Sequence, residues 1–211
     1  MLIKIWSIIN LYFIILVDSY NLCIVGVSSG LGRELAYQAI TTKNMSVLGM
    51  SSKLYPIYIP FRGDGLDDCL TTKLLKSDKI KYQNYWNDVK ADYQHIIFCT
   101  GAGSFENDYS DIITDKFINN LSEHCESISL VSATGVNEKN LSLLIKLMKY
   151  TSLKDIYRAK TRQEHIINNL NKKNIKKFIY RPKLLSYGNS FFNSITRKEL
   201  GELILENIIN N

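Results

Sequence analysis

Proline is scarce in this chain, with three in 211 residues, and two of those sit close together at Pro56 and Pro60. Internal repeats and low-complexity linkers are absent, which excludes repeat and fibrous architectures. Cysteine is also sparse. Cys23, Cys69, Cys99 and Cys125 form no C-x-x-C pair and no zinc spacing, so no disulfide framework is expected. Cys23 and Cys99 fall inside apolar runs, where a free thiol behaves as a small hydrophobe. This usage suits a reducing compartment, and the expected location is the cytoplasm. The three histidines, His95, His124 and His165, make no metal or triad pattern and are read as structural. No G-x-S-x-G nucleophile turn occurs. The acids Asp64, Asp67 and Asp68 lack the downstream ligand that a calcium loop requires. No metal site is therefore expected.

What remains is ordinary globular material, 45% hydrophobic and 22% charged. Residues 21–211 are read as a single domain, long enough to bury a full core. The formal charge is +6, with much of the basic excess in the run from Lys172 to Lys177. No aromatic residues interleave with that run, so it reads as a solvated helix end and no nucleic-acid partner is expected. A basic chain also suits phosphate-bearing ligands. Residues 1–20 stand apart. Lys4 precedes an apolar run from Ile5 to Val17, short for a membrane span. Three readings are open for it: a targeting or membrane-contacting segment, an amphipathic element packed on the domain, or an extension from an upstream start. The first would add membrane association or organelle targeting to the expected location.

The chain is organised around Ile24 to Ala36. An apolar strand from Leu22 to Val25 meets the glycine pattern Gly26-Val27-Ser28-Ser29-Gly30-Leu31-Gly32, and a helical pattern follows at Leu35, Ala36, Ala39 and Ile40. Such a turn lets backbone approach a pyrophosphate, with the helix N-terminus aimed at it. Further strands are expected at Met45 to Met50, Ile57 to Phe61 as an edge strand, His95 to Cys99, Ile128 to Gly135 and Lys177 to Pro182. Short helices are expected around Cys69 to Leu75 and Tyr85 to Val89, with Ile80 to Tyr82 extended between them. Longer helices are expected at Ile112 to Cys125, Leu153 to Leu170 and Glu199 to Ile209, the last burying Leu200, Leu203, Ile204 and Ile208. Alternating strands and helices imply an α/β, Rossmann-type doubly wound, mainly parallel sheet with helices on both faces.

The residues after the second strand bear on cofactor type. A carboxylate there would accept hydrogen bonds from ribose hydroxyls. This chain has Ser51, Ser52 and Lys53, with Arg33 just after the last motif glycine. Hydroxyls and cations suit a 2′-phosphate, so NADP(H) is expected ahead of NAD(H).

These pieces, in this order, resemble the atypical, NmrA-like branch of the short-chain dehydrogenases/reductases. The resemblance runs from about Leu22 to Ile209 and is carried by the glycine turn, Cys99-Thr100-Gly101-Ala102-Gly103, Val131-Ser132-Ala133-Thr134-Gly135, Ala159-Lys160 with Glu164, Arg181-Pro182 with Tyr187-Gly188, and Ile195 to Leu200. It implies that cofactor is held by Gly26, Ser28, Ser29, Gly30, Leu31, Gly32, Arg33, Ser51, Lys53, Thr100, Gly101, Ala102, Lys160, Arg181 and Pro182. It implies hydride transfer to an unknown small molecule, with Tyr157, Lys160 and Ser132 as catalytic residues and Thr134 as the alternative hydroxyl. In that family a tyrosine four residues before the lysine exchanges a proton with the substrate, its pKa lowered by the ammonium. Here that position is Ile156, and Tyr157 lies three before Lys160. Tyr150 and Lys154 have the four-residue spacing but lie outside the Ala-Lys and Glu164 register. Two functions follow from this departure: a hydride-transferring oxidoreductase, or a non-catalytic NAD(P)H-binding redox sensor or assembly factor.

Overall fold

The computed structural model describes residues 19–52, 58–60, 72–74, 77–87, 92–100, 109–138, 153–183, 185–186 and 195–210. Six strands form one parallel sheet: β1 (Ser19–Val25), β2 (Val47–Ser51), β5 (Ile80–Asn84), β6 (Asp92–Phe98), β7 (Ser127–Val131) and β8 (Lys176–Tyr180), in the order β5-β2-β1-β6-β7-β8. Two more strands, β3 (Tyr58–Pro60) and β4 (Thr72–Leu74), pair antiparallel away from that sheet. A short parallel pair joins β9 (Leu185–Ser186) to β10 (Ile195–Thr196). The helices are α1 (Gly30–Thr41), α2 (Ser110–Asn119), α3 (Lys154–Asn169) and α4 (Arg197–Ile209).

Alternation along β1 explains the layers. Leu22 and Ile24 point into one core with Leu35, Ala39, Ile204 and Ile208 of α1 and α4. Cys23 and Val25 point into the other with Ile113 and Phe117 of α2 and Ile167 of α3. A strand covered on both faces is apolar at every position, which is why its run is continuous. Strand order reverses between β1 and β6, and the crevice at their carboxyl ends is where open α/β sheets take ligands.

Several local expectations are corrected. The third strand beside β2 is Ile80–Asn84, whereas the segment expected at Ile57 to Phe61 contributes only Tyr58–Pro60 to the separate hairpin. Pro60 has no N–H for a ladder, which disfavours it in a central strand. Thr72–Leu74 is strand where a helix was expected. Residues 85–87 form a turn, with Asn87 N–H donating to the Asn84 carbonyl (3.1 Å) and Trp86 N–H to Asn84 Oδ1 (2.9 Å). Helix α2 stops at Asn119, and Asn120 Nδ2 donates to the Lys116 carbonyl (2.9 Å), the local side-chain bond that favours asparagine at helix ends. In α4 the buried stripe is Leu200, Gly201, Ile204, Leu205 and Ile208, so Leu203 faces solvent at 43% exposure. The helix begins at the Thr196 cap, where Thr196 and Glu199 form a reciprocal capping box. Among the described residues no helix is long and apolar enough to cross a membrane; the apolar run at residues 5–17 lies outside them.

Candidate functional site

Two half-sites meet at the carboxyl edge. The first is the glycine turn between β1 and α1. Gly26 has φ +90° and donates its N–H to the Met50 carbonyl of β2 (2.8 Å). A Cβ there would lie 2.9 Å from the backbone of Cys99 and Thr100, so the turn is packed down on the end of β6. Gly32 is equally constrained, since its Cβ would collide with the Gly26 carbonyl and the Val27 Cα. Ser29 caps α1, accepting the Gly32 N–H at Oγ (2.9 Å), one of the first-turn donors that a helix cannot satisfy internally. Arg33 folds back so that Nε donates to the Ser28 carbonyl (3.0 Å). Ser51, buried at the end of β2, donates its hydroxyl to Ser28 Oγ (2.9 Å). Gly30 and Leu31, expected in the turn, already open the helix. Lys53, Gly101 and Ala102, with Gly103, Tyr187 and Gly188, lie outside the described residues.

The second half-site is built by α3 against the ends of β6, β7 and β8. The buried stripe of α3 is Ala159, Lys160, Gln163, Glu164 and Ile167. Lys160 is buried, and its ammonium donates to the Thr100 carbonyl and to that of Val131 (3.0 Å), tying the ends of β6 and β7 together. Gln163 Nε2 donates to Thr100 Oγ1 (3.2 Å), to the Ser110 carbonyl (3.1 Å) and to Thr114 Oγ1 (2.7 Å). Tyr157 sits off the stripe, half-buried, and its hydroxyl donates to the Thr134 carbonyl (3.1 Å). Burial, then the nearby Glu138 charge, pushes the Tyr157 phenol above its ordinary pKa. A proton-transfer tyrosine near neutral pH needs the opposite shift.

Glu164 is the least exposed charge in this half-site. Its side chain has no solvent exposure, and Arg181 grips it side-on, Nε to Oε1 (2.8 Å) and Nη2 to Oε2 (2.7 Å). Asn137 Nδ2 adds a third bond to Oε2 (2.7 Å). Burial pushes this carboxyl upward, yet the bonds from Arg181 and Asn137, a close Ser132 hydroxyl and the Arg181 charge leave it below its ordinary value. Taking a carboxylate out of water costs several kcal/mol even after relaxation, so such a group persists only when fully paired. The Ser132 hydroxyl is buried beside this carboxylate but outside hydrogen-bonding geometry. The loop after β7 is further fixed by Ser132 N–H to the Tyr180 carbonyl (2.8 Å), Thr134 N–H to the Pro182 carbonyl (3.3 Å) and Thr134 Oγ1 to the Arg181 carbonyl (3.2 Å).

The structure thus brings Ser28, Ser29, Gly32, Arg33 and Ser51 together on one side, and Thr100, Ser132, Tyr157, Lys160, Arg181 and Pro182 on the other. Sequence reasoning quoted Glu164 without giving it a role, and it missed Asn137 and Gln163 altogether. The readable signal was a charged side chain on the buried stripe of α3, one turn after Lys160. Burial pushes the Cys99 thiol at the edge of this half-site up to about 12, despite the Lys160 charge, which disfavours its thiolate form. Among the described residues no three His, Cys, Asp or Glu side chains gather as a metal would need.

No protein-family model and no curated protein matches this sequence. Solved structures do match the fold. A wide-type short-chain dehydrogenase/reductase from Veillonella parvula in complex with NADP aligns with TM-score 0.62 at 13% identity, over 89% of this chain and 86% of that one. A Rossmann-fold NAD(P)-binding family protein from Shigella flexneri aligns with TM-score 0.55 at 14% identity, over 92% and 87%. A UDP-glucuronic acid 4-epimerase from Bacillus cereus in complex with NAD aligns with TM-score 0.55 at 12% identity, over 78% and 56%. At such identities the likeness establishes architecture: the chain has the Rossmann-type α/β fold that these short-chain dehydrogenase/reductase and NAD(P)-binding structures share.

Proposed function

We propose that this chain binds NADP(H) across the carboxyl edge and acts as an oxidoreductase on a small carbonyl or similar acceptor. One observation carries the reading: a glycine turn with no room for a Cβ at Gly26 or Gly32 is pressed against Thr100, with the Ser51–Ser28 hydroxyl pair where a carboxylate would otherwise stand. That donor set fits a phosphorylated adenosine ribose. Gly26 to Gly32 would hold the pyrophosphate, with Ser28, Ser51, Arg33 and Lys53 on the 2′-phosphate. Thr100, Gly101, Ala102 and Lys160 would line the ribose side, and Arg181 and Pro182 the nicotinamide side. The group, when bound, supplies or accepts hydride at its nicotinamide ring. The Ser132 hydroxyl would orient the acceptor, and Tyr157 would exchange its proton. The Veillonella parvula short-chain dehydrogenase/reductase of the same architecture was solved in complex with NADP.

A second reading has its own observation. Tyr157 donates to a backbone carbonyl and its phenol is shifted upward, which favours binding without hydride transfer. Titration of the full chain with NADPH, followed by a carbonyl panel, separates the two. Saturable binding abolished by Gly32→Asp, with NADPH oxidation by at least one carbonyl, supports the oxidoreductase. Binding with no turnover across the panel, unchanged by Tyr157→Phe, supports the sensor or assembly factor. Binding indifferent to Gly32→Asp overturns both.

A further inference from the structure

We propose that Glu164 is a positioning residue of the candidate site, which holds the loop after β7 in the shape that receives the nicotinamide half of the cofactor. The inference rests on the NADP(H) reading above. All the partners that the structure gives its carboxylate belong to strand ends: Arg181 after β8, Asn137 in the loop after β7, and the nearby Ser132 at the start of that loop. None belongs to a neighbouring turn of α3, where a helix-stabilising acid would find its partner. A buried ion pair is weak evidence for stability, since an apolar residue of similar size packs the same space without desolvating charge. A carboxylate retained at zero exposure, with a side-on guanidinium and an amide on the same two oxygens, is better suited to fixing orientation than to adding stability.

The loop has a conformation that needs holding. Gly135 and Asn137 both have positive φ, at 89° and 53°, and Asn137 is the side chain that reaches Glu164. Between them and the strand lie Ser132 and Thr134. Thr134 is in turn bonded by Tyr157 at its carbonyl and bonds the Arg181 carbonyl through Oγ1. Glu164 and Arg181 therefore close a ring of contacts around the start of this loop, where Ser132 lies buried beside the carboxylate. The glycine turn shares none of these bonds. Loss of the Glu164 contacts should loosen the β7 side and leave the phosphate side as it was.

The test uses two variants of the full chain and two probes, NADPH and adenosine bisphosphate (the phosphorylated adenosine half alone). Asn137→Gly keeps the positive φ and removes only the bond to Glu164, so it is expected to fold. Glu164→Gln keeps the volume and removes the charge. For both, Kd for NADPH is expected to rise about tenfold and the nicotinamide emission gained on binding to fall, while Kd for adenosine bisphosphate stays within about twofold. The double variant should do no more than Glu164→Gln alone, because both remove the same lock. A merely structural role would weaken both probes together. Equal weakening of both, or unchanged NADPH emission in a folded Asn137→Gly protein, overturns the proposal. If the unaltered chain binds neither probe, the NADP(H) reading itself fails and this inference falls with it.

Discussion

The two halves of the carboxyl edge are built by different means. On the glycine side the turn's own bonds are short in sequence, Ser29 to Gly32 spanning three residues and Arg33 to Ser28 five, while Ser51 to Ser28, spanning 23, ties the turn to β2. On the α3 side they are long: Lys160 to Thr100 spans 60 residues, Gln163 to Thr100 spans 63, and Arg181 to Glu164 spans 17. Apart from the half-buried Arg33, the glycine side is backbone and hydroxyls, whereas the α3 side contains a buried ammonium and a buried carboxylate. The first half depends on space and the second on charge pairing, so they should fail differently when perturbed.

The largest loss is expected on the glycine side. Gly26→Ala forces a side chain into φ +90° and brings a Cβ within 2.9 Å of backbone that cannot move aside. Strain and overpacking together should cost about 4 kcal/mol. Chemical denaturation should show it as a lowered midpoint at unchanged slope. A loss under about 1 kcal/mol would mean that the turn is not pressed against Thr100.

Next comes the charge pair. Glu164→Ala leaves Arg181 without its partner, but that side chain is 35% exposed and can recover some water. The expected loss is about 3 kcal/mol, at the low end for a broken buried pair. Its pH dependence separates the halves further. The Glu164 carboxyl is held below its ordinary value in the folded chain, so its contribution is complete above the unfolded pKa of about 4.3 and is lost as pH falls through the lower folded value. Glu164→Gln should flatten that acid limb in an unfolding series, whereas Gly26→Ala should shift the whole curve without changing its shape.

A smaller effect calibrates the comparison. Ser29→Ala removes the cap of α1 and Thr196→Ala removes that of α4, each worth about 1 kcal/mol. Thermal melts should show similar losses. Only Ser29→Ala should also weaken NADPH, since its helix opens on the candidate site and α4 does not.

What could be read from the sequence follows the same division. The glycine turn, the strands around it and the alternation of strand with helix were legible because their determinants are local: glycine spacing, a capping serine, continuous apolar runs. The third strand was read only in part, as an extended Ile80 to Tyr82 between two helices. Lys81 and Gln83 alternate with Ile80 and Tyr82, and only pairing with β2 makes that weak pattern a strand. Of the hairpin, β3 lies within the edge strand expected at Ile57 to Phe61, whereas β4, three residues long, was read as helix. The helix α3 was visible, but a glutamate on its buried stripe gains its meaning only from Arg181 and Asn137, which helical periodicity does not reveal.

The finest distinction concerns Tyr157. Its hydroxyl contributes one bond to the Thr134 carbonyl, so Tyr157→Phe should cost about 1 kcal/mol or less. Because the phenol is shifted upward on folding, that contribution is intact below the unfolded value of about 10 and is lost as pH rises through the folded one. If the bond to Thr134 is all that Tyr157 supplies, the phenylalanine variant should match the unaltered chain in NADPH affinity at every pH below that range. If Tyr157 also delivers a proton, any carbonyl reduction should fall at least about a hundredfold in the variant and lose its alkaline limb. A stability loss without a catalytic one would place Tyr157 with Glu164, as part of the frame around Ser132.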